Sequence, residues 1–293
     1  MQVFTAVVDA GSFIGAAGAL GQSKAAVSRH VAELEARLGV RLLHRTTRRL
    51  SLTDEGAAFH GRCKALLADV EAAEAEVTHR ADRAVGLLKV NVPVSYGVLR
   101  LAPLWAEFMT GHPQVELDVT LSDRFVDLVE EGFDLAIRIG RLGASSLVSR
   151  QMASTRLVAC ASPAYLQAHG HPTHPQDLAR HATLGYSLLA DGTTWHFERS
   201  DGSEPPQAVK VSPRMWSNSG DTCRAVALAG GGIILKPCFM VGDDLVAGRL
   251  VQVLPLWQAP ELGIHAVYPS RRHLSPKVRL LVDFLSQALA SSP

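Results

Sequence analysis

The run Ser23-Lys24-Ala25-Ala26-Val27-Ser28-Arg29, continuing to Leu38-Gly39, decides the reading of the N-terminal region. Val27, Val31, Leu34 and Leu38 step by four, three and four, which places one apolar stripe on one helix face. Lys24 and Ser28, one turn apart, fall on another face. Upstream, Ser12 is a good N-cap for a short Ala-rich helix over Ile14–Leu20, which Gly21 ends. Two short helices joined by a tight Gly-containing turn predict a helix-turn-helix, whose second helix enters the DNA major groove by its N-terminal residues. Ser23, Lys24, Ser28 and Arg29 are the residue types that contact phosphates and base edges.

Past Gly39 the apolar period changes to two, at Val40 and Leu42 and again at Leu50 and Leu52. Between them lies His44-Arg45-Thr46-Thr47-Arg48-Arg49, a basic tip on a short ribbon, which reads as the wing of a winged helix-turn-helix. Arginine suits that place because its planar fork bonds phosphate or enters a narrow minor groove. Arg45, Thr46, Thr47, Arg48 and Arg49 are therefore candidate DNA contacts. A solvated basic hairpin is the plain alternative for such a charge run, and its position behind the helix pair favours DNA.

Charge is distributed to match. The 293 residues hold 29 Lys and Arg against 28 Asp and Glu, a formal net charge of +1. Residues 21–50, however, carry seven basic side chains against Glu33 and Glu35, and residues 51–86 carry four basic against seven acidic. A near-neutral total excludes a uniformly basic nucleic-acid-coating protein but not a local patch. A hydrophobic fraction of 47% excludes a disordered or low-complexity chain.

Phe13, Ala16-Ala17, Leu20, the run Ser23–Arg29, Leu34-Glu35, Leu38-Gly39-Val40-Arg41-Leu42 and Arg45-Thr46-Thr47-Arg48 together resemble the DNA-binding domain of LysR-type transcriptional regulators, in order and spacing from about Val3 to Gly56. Lys24 stands where that family usually has Gln, which bears on base preference. Gly15 and Gly18 lie inside a short helix, at a cost of ~1 kcal/mol each against Ala. The chain also begins several residues later than family members usually do.

A long helix is expected from about Thr53, with Asp54 and Glu55 on its N-terminal dipole. Phe59, Cys63, Leu66, Val70, Ala73 and Val77 step alternately by four and three, a heptad seam that predicts a partner helix and so a homodimer. A dimer presents two recognition helices to pseudo-symmetric half-sites. Packing within its own domain is the alternative. The resemblance assigns this segment as the linker helix and implies a tetramer built as a dimer of dimers, with RNA polymerase as a further partner of an activator.

From Leu87 onward the texture is α/β. Strands are expected at Leu87–Val94, Val115–Leu121, Leu135–Ile139, Arg156–Ala161, Met215–Asn218, Gly232–Leu235 and Ile264–Tyr268. Helices are expected at Leu99–Thr110, Phe125–Glu131, from Ser162, over Asp221–Ala229 and over Ser275–Ala290. Such alternation indicates a mostly parallel, doubly wound sheet. The resemblance identifies it as a two-lobed α/β domain of periplasmic-binding-protein-like type II fold. The expected organisation is a winged helix-turn-helix over 1–56, a linker and dimerisation helix over 53–85, and an effector-binding domain over 87–293. Its first lobe spans about 87–161 and 266–293, and its second about 162–265.

Ligands in open α/β folds sit at the carboxyl ends of strands, where helix N-termini favour anions. Candidates for a small, anionic effector are Ser95-Tyr96-Gly97 after the first strand, Asn218 and Ser219 before the Asp221 helix, and Arg138 near the end of the third strand, a bidentate partner for a carboxylate. A simple helix cap is the alternative for Ser95, and an ion pair with Asp134 for Arg138. The resemblance implies that an effector between the lobes changes their angle and so resets the DNA-binding domains.

Other classes find less support. No GxSxG, HExxH, GxxxxGK[ST] or GxGxxG motif marks an enzyme. His169, His171, His174 and His181 lie in a Gly- and Pro-rich stretch rather than in the fixed geometry of a metal site, so neither metal nor cofactor is expected. A solute-binding component of a transport system would share the lobes but needs an export signal and no DNA-binding head. The longest apolar run, Ala225–Leu235, is eleven residues against the ~20 of a membrane span. Asp9 breaks any signal-like start. The four cysteines are too scattered for a disulfide framework, so a cytoplasmic protein is expected.

Overall fold

The computed structural model describes residues 1–45, 50–77, 84–140, 142–143, 147–189, 192–269 and 274–290. Three helices open the chain: α1 (Gln2–Asp9), α2 (Phe13–Leu20) and α3 (Lys24–Leu38). Local chemistry sets each boundary. The Ser12 hydroxyl accepts the Gly15 N–H at 3.0 Å to start α2, and Gly21 ends it in the left-handed conformation at φ 62°. Ser23 caps α3 by accepting the Ala26 N–H, and Gly39 stops it at φ 71°. An antiparallel ribbon follows, β1 (Leu43–Arg45) against β2 (Leu50–Leu52), with Leu43 opposite Leu52. The ribbon begins three residues after Val40, where the alternation started: Leu42 and Leu43 are both buried while Val40 is exposed. Two hydrogen bonds from the Leu42 and Leu43 N–H groups to Glu35 Oε1 explain this, because they turn the chain inward just before the strand.

The long helix α4 (Asp54–Val77) starts where Thr53 Oγ1 accepts the Gly56 N–H at 2.9 Å and donates to the Arg41 carbonyl at 2.8 Å. Gly56 is required there, since a Cβ would lie 2.0 Å from the Leu42 carbonyl oxygen. Phe4, Val7, Ala16, Val27, Val31, Leu34, Leu42, Leu43 and Cys63 form the core of this N-terminal head.

The rest of the chain forms two lobes. A sheet in the order β11-β6-β14-β5-β3-β4 runs through them, built from β3 (Gly86–Val92), β4 (Val115–Leu121), β5 (Leu135–Ile139), β6 (Val148–Ala161), β11 (Ile234–Pro237) and β14 (Glu261–Tyr268). Strands β4 and β5 lie parallel to β3, but β14 runs antiparallel to its neighbours β5 and β6, so the sheet is mixed rather than mostly parallel. Strand β6 starts at Val148, eight residues before the expected Arg156, because its first half pairs with β14 and its second half with β11 and with β12 (Val251–Gln252). It therefore belongs to both lobes. The first lobe's core joins Leu88, Val90, Phe108, Leu135 and Ile137 to Leu281, Val282 and Leu285 of the final helix α10 (Pro276–Ala290).

One helical expectation holds with an earlier, irregular start, and one fails. After β3 comes a three-residue helix, Val94–Tyr96, then a π turn over Gly97–Leu101, and only then a regular helix, Ala102–Gly111. Residues Phe125–Glu131 form turns, not a helix. The Asp127 carboxylate accepts the Val129 and Glu130 N–H groups at 2.9 and 3.0 Å, and this side-chain competition favours turns over a helical ladder.

In the second lobe, the helix after β6 (Pro163–His169) is capped by Ser162, and a 3-10 turn covers Pro175–Arg180. Strands Thr183–Tyr186 and Pro213–Ser217 pair in parallel, and strands Thr194–Arg199, Gln207–Lys210 and Trp257–Gln258 form a small separate sheet. Helix Gly220–Leu228 starts at the Ser219 cap, and helix Cys238–Val246 follows β11 directly.

Candidate functional site

In the head, Ser23, Lys24 and Arg29 are exposed at the N-terminal end of α3 while Val27 and Val31 are fully buried beneath them. Ser28 is half-buried. The Ser23 hydroxyl is already engaged as the helix cap. Arg29 faces Glu33 one turn on at 3.8 Å, an exposed and weak pair. The result is a rigid helix end that presents a polar, cationic face outward. Thr46, Thr47, Arg48 and Arg49 lie outside the described residues. Arg45 is the last residue of β1, paired in register with Leu50.

The heptad seam divides. Phe59 packs on Phe4 with ring centroids 5.8 Å apart, and Cys63 is fully buried in the head's core, so these two are internal contacts rather than faces for a partner. The first helix explains the difference: α1 packs across the start of α4, and Asp9 of α1 meets His60 at 3.2 Å and Lys64 at 3.8 Å. Farther along, Leu66 and Val70 are each about half exposed, at 52% and 51%. The side chains of Ala73 and Val77 lie outside the described set.

A cavity of about 130 Å³ opens between the lobes. From the first lobe it is lined by Ser95, Tyr96, Ser122, Asp123, Phe125 and Arg138, and from the second by Tyr186, Leu188, Leu189, Lys236 and Met240 among others. Arg138, on β5, is only 8% exposed. Its Nη1 donates to Asn91 Oδ1 at 2.6 Å and to the Ile137 carbonyl at 3.3 Å, and its guanidinium lies 5.6 Å from the Phe125 ring centre. Neither Arg138 Nη2 nor Asn91 Nδ2 has a hydrogen-bond partner. Burial pushes the Arg138 guanidinium below its usual range, against the pull of Glu131. The alternative pair with Asp134 does not form: that carboxylate accepts the Lys89 N–H at 2.9 Å and lies 3.7 Å from Lys277.

Lys236, on β11, is 3% exposed, with its ammonium 4.2 Å from the centre of the Tyr186 ring. Burial pushes its pKa down, which the Cys223 thiol, Asp123 and Asp221 oppose. Asp123 accepts the Val94 N–H at 2.9 Å, and burial together with this carboxylate raises the Tyr186 phenol. Ser95 is no helix cap. It sits within its short helix, and its hydroxyl reaches across the cleft to Asp221 Oδ2 at 2.8 Å, joining the lobes.

The expected effector residues thus separate. Ser95, Tyr96 and Arg138 line the cavity; Gly97, Asn218 and Ser219 do not. Gly97 is a packing position, where a Cβ would meet Leu121 and Val92 at 2.6 and 2.8 Å. Ser219 spends its hydroxyl on the Thr222 N–H, and Asn218 is exposed. Sequence reasoning missed Asn91, Asp123, Tyr186 and Lys236. Two of them carried a signal: Asn91 interrupts the apolar Leu88–Val92 strand, and Lys236 ends the run Ile233-Ile234-Leu235. A polar residue inside a buried strand needs a reason.

Three of the four histidines are tied to structural partners. His181 and His169 contact Tyr165, and His174 meets Glu204 at 3.3 Å. Among the described residues no cluster of His, Cys, Asp and Glu has a metal-binding arrangement, and no helix is long and apolar enough to cross a membrane.

Comparison with known proteins agrees with this division of the chain. Residues 1–57 match the model for bacterial regulatory helix-turn-helix proteins of the lysR family, and residues 81–290 match the LysR substrate binding domain. An HTH-type transcriptional regulator of Xanthomonas campestris is 40% identical over 285 residues, covering 97% of this chain and 83% of that protein. The solved structure of CrgA, a LysR-type transcriptional regulator from Neisseria meningitidis, is 36% identical with a TM-score of 0.62, covering 99% of this chain and 97% of the other. The full-length virulence activator AphB of Vibrio cholerae has 29% identity and a TM-score of 0.62, covering 98% and 97%. These relatives are regulators, not enzymes. With a helix-turn-helix head, a long helix and a two-lobed sensor in that order, the chain belongs to the LysR family of DNA-binding transcriptional regulators that carry an effector-binding domain.

Proposed function

We propose that this regulator acts in the cytoplasm on double-stranded promoter DNA, reading base edges with Lys24, Ser28 and Arg29 and holding phosphates with Ser23 and the 45–49 wing tip. Boundaries near 56 and 86 separate head, linker helix and sensor, and the sensor's second lobe covers about 162–265. Two heads are brought together through the Leu66–Val77 side of α4, and pairs of dimers form the tetramer. An anionic effector enters the cavity between the lobes and changes their angle. Its differential affinity for the two arrangements supplies the energy that repositions the heads. An activating complex has RNA polymerase as its further partner.

The observation that carries this reading is the pairing of one exposed cationic helix end with one cavity between the lobes that holds two buried cations. Salt dependence of DNA binding tests the head. Arg48→Ala is expected to reduce the slope of log affinity against log salt by ~0.9 for one lost phosphate contact, equally on specific and random DNA. Lys24→Ala is expected to lower discrimination between the two by ~1–3 kcal/mol. Unchanged slope and unchanged discrimination overturn the assignment.

A further inference from the structure

We propose that the effector is a small monocarboxylate with a compact apolar body, a single ring or a short branched chain, whose carboxylate bridges Arg138 of the first lobe and Lys236 of the second. This rests on the inter-lobe cavity being the effector site.

The charged side chains that line the cavity lead to one negative charge, since Asp221, just outside the lining, is already bonded to Ser95. Two buried cations, Arg138 and Lys236, face one lining carboxylate, Asp123, whose Oδ1 already accepts the Val94 N–H. A buried cation without a partner is costly, and proteins pair such groups. Here neither cation has an ion-pair partner among the described residues. One Arg138 nitrogen, Nη2, is left without a partner among the described residues, while Nη1 is held by Asn91 Oδ1. A planar carboxylate suits the fork of donors that a guanidinium presents. Lys236 touches an aromatic face and the Cys223 thiol, and Asp123 and Asp221 act on its charge without an ion-pair contact, so its ammonium has N–H groups to spare for the second oxygen.

Larger charge is excluded by the same surroundings. A phosphate group needs more donors than these two side chains and would draw on a helix N-terminus. The helix that starts at Gly220 is closed to it: Ser219 caps it, and Asp221 already places a carboxylate in its first turn, bonded to Ser95. A second carboxylate on the ligand would be buried against Leu157, Leu188, Leu189, Leu235 and Met240, with Asp123 repelling it. The volume is that of a small body, since a cavity of ~150 Å³ accepts a benzene ring and this one measures about 130 Å³. Because Arg138 and Lys236 come from opposite lobes, one carboxylate between them favours the closed arrangement over an open one.

Calorimetric titration of the full-length protein tests the proposal with five probes: cyclohexanecarboxylate, 4-methylpentanoate, the neutral cyclohexanecarboxamide, succinate and inorganic phosphate. The two monocarboxylates are expected to bind about tenfold or more tighter than the amide, succinate or phosphate, and to lose about tenfold or more in Arg138→Gln and in Lys236→Met, with Arg138→Lys retaining part of the affinity. Circular dichroism verifies that each variant is folded. Leu189→Trp, which leaves both cations in place and fills the cavity, is expected to abolish binding of every probe. Succinate, phosphate or the amide binding best, but still sensitive to Leu189→Trp, overturns the ligand class and leaves the cavity as the effector site. Monocarboxylate binding that none of these variants alters overturns the cavity assignment itself. No heat from either monocarboxylate overturns the proposal.

Discussion

The head and the sensor use the same two residue types in opposite ways. In the head, Lys24 and Arg29 are exposed to water, where their charge costs little to maintain and is free to meet a long polyanion. In the sensor, Arg138 and Lys236 are taken out of water, which costs folding free energy until something answers their charge. An exposed cation reads a surface of many charges, each contact weak and sensitive to salt. A buried one reads a single charge in a fixed place, and salt screens it far less. A regulator of this kind needs both, on units whose stabilities are separable.

Separability is what the predictions probe, starting with the largest effect. Phe4 is buried at the centre of the head and packs on Phe59 and His60. Phe4→Ala is expected to cost the head ~3–5 kcal/mol and to abolish DNA binding, while effector titration and the sensor's calorimetric transition stay in place. A joint shift of both transitions breaks the comparison.

Asp244 is the sensor's counterpart. It is fully buried and bonds Arg224 at 2.5 Å and Arg249 at 2.8 Å. Burial alone would raise its carboxyl, but the two guanidinium hydrogen bonds outweigh that and hold it below 3.8. Its folded value lies below the unfolded one, so its contribution is present above about pH 4 and fades as pH falls through the folded value. Asp244→Asn is expected to lower sensor stability by ~2 kcal/mol near neutrality and to flatten the acid side of the stability curve, read by urea melts across pH. The head's transition is expected to stay unmoved.

Gly18 sharpens the comparison from the opposite side. Nothing lies within 4 Å of a Cβ built there, whereas Gly15 has Ser12 Oγ at 3.0 Å and the Ala10 Cβ at 3.1 Å. Gly18→Ala is expected to stabilise the head by up to ~1 kcal/mol, seen as a higher melting temperature for that transition alone, and Gly15→Ala to gain less or nothing.

The smallest effect concerns pH. Burial lowers the Lys236 pKa from 10.5, so the unfolded chain holds its proton longer than the folded one. The penalty is full below the folded value and is relieved as pH rises from there toward 10.5. Sensor stability of the wild type relative to Lys236→Met is therefore expected to climb over that window; a flat difference shows that the ammonium is solvated.

How legible each unit was follows from where its information lies. The head is a set of near-neighbour instructions: Ser12, Gly21, Ser23 and Gly39 each fix a helix end through atoms a few residues away, and the structure agrees within a residue or two. The seam on α4 misled because Phe59 and Cys63 obey the same spacing as Leu66 and Val70, yet α1 covers only the first pair. Periodicity reports a face and not its partner. In the sensor the strands were legible from their apolar runs, but the cavity depends on contacts such as Ser95 to Asp221, 126 residues apart, which no spacing encodes. The turn segment at Phe125 looked helical because its apolar residues have helical spacing; Asp127, bonding its own neighbours, overrode it.

The long strand β6 has a further consequence, for the order in which the units come into being. Strand β14 lies between β5 and β6, and α10 supplies Val278, Leu281, Val282, Leu285 and Leu289 to the first lobe's core. That core is incomplete until residues beyond 260 have been made. Among the described residues, the head's core draws on nothing past Cys63. At the ~5–20 residues per second of synthesis, the DNA-reading unit precedes its sensor by roughly ten seconds to most of a minute. A nascent chain thus carries a complete head before any effector has a place to bind.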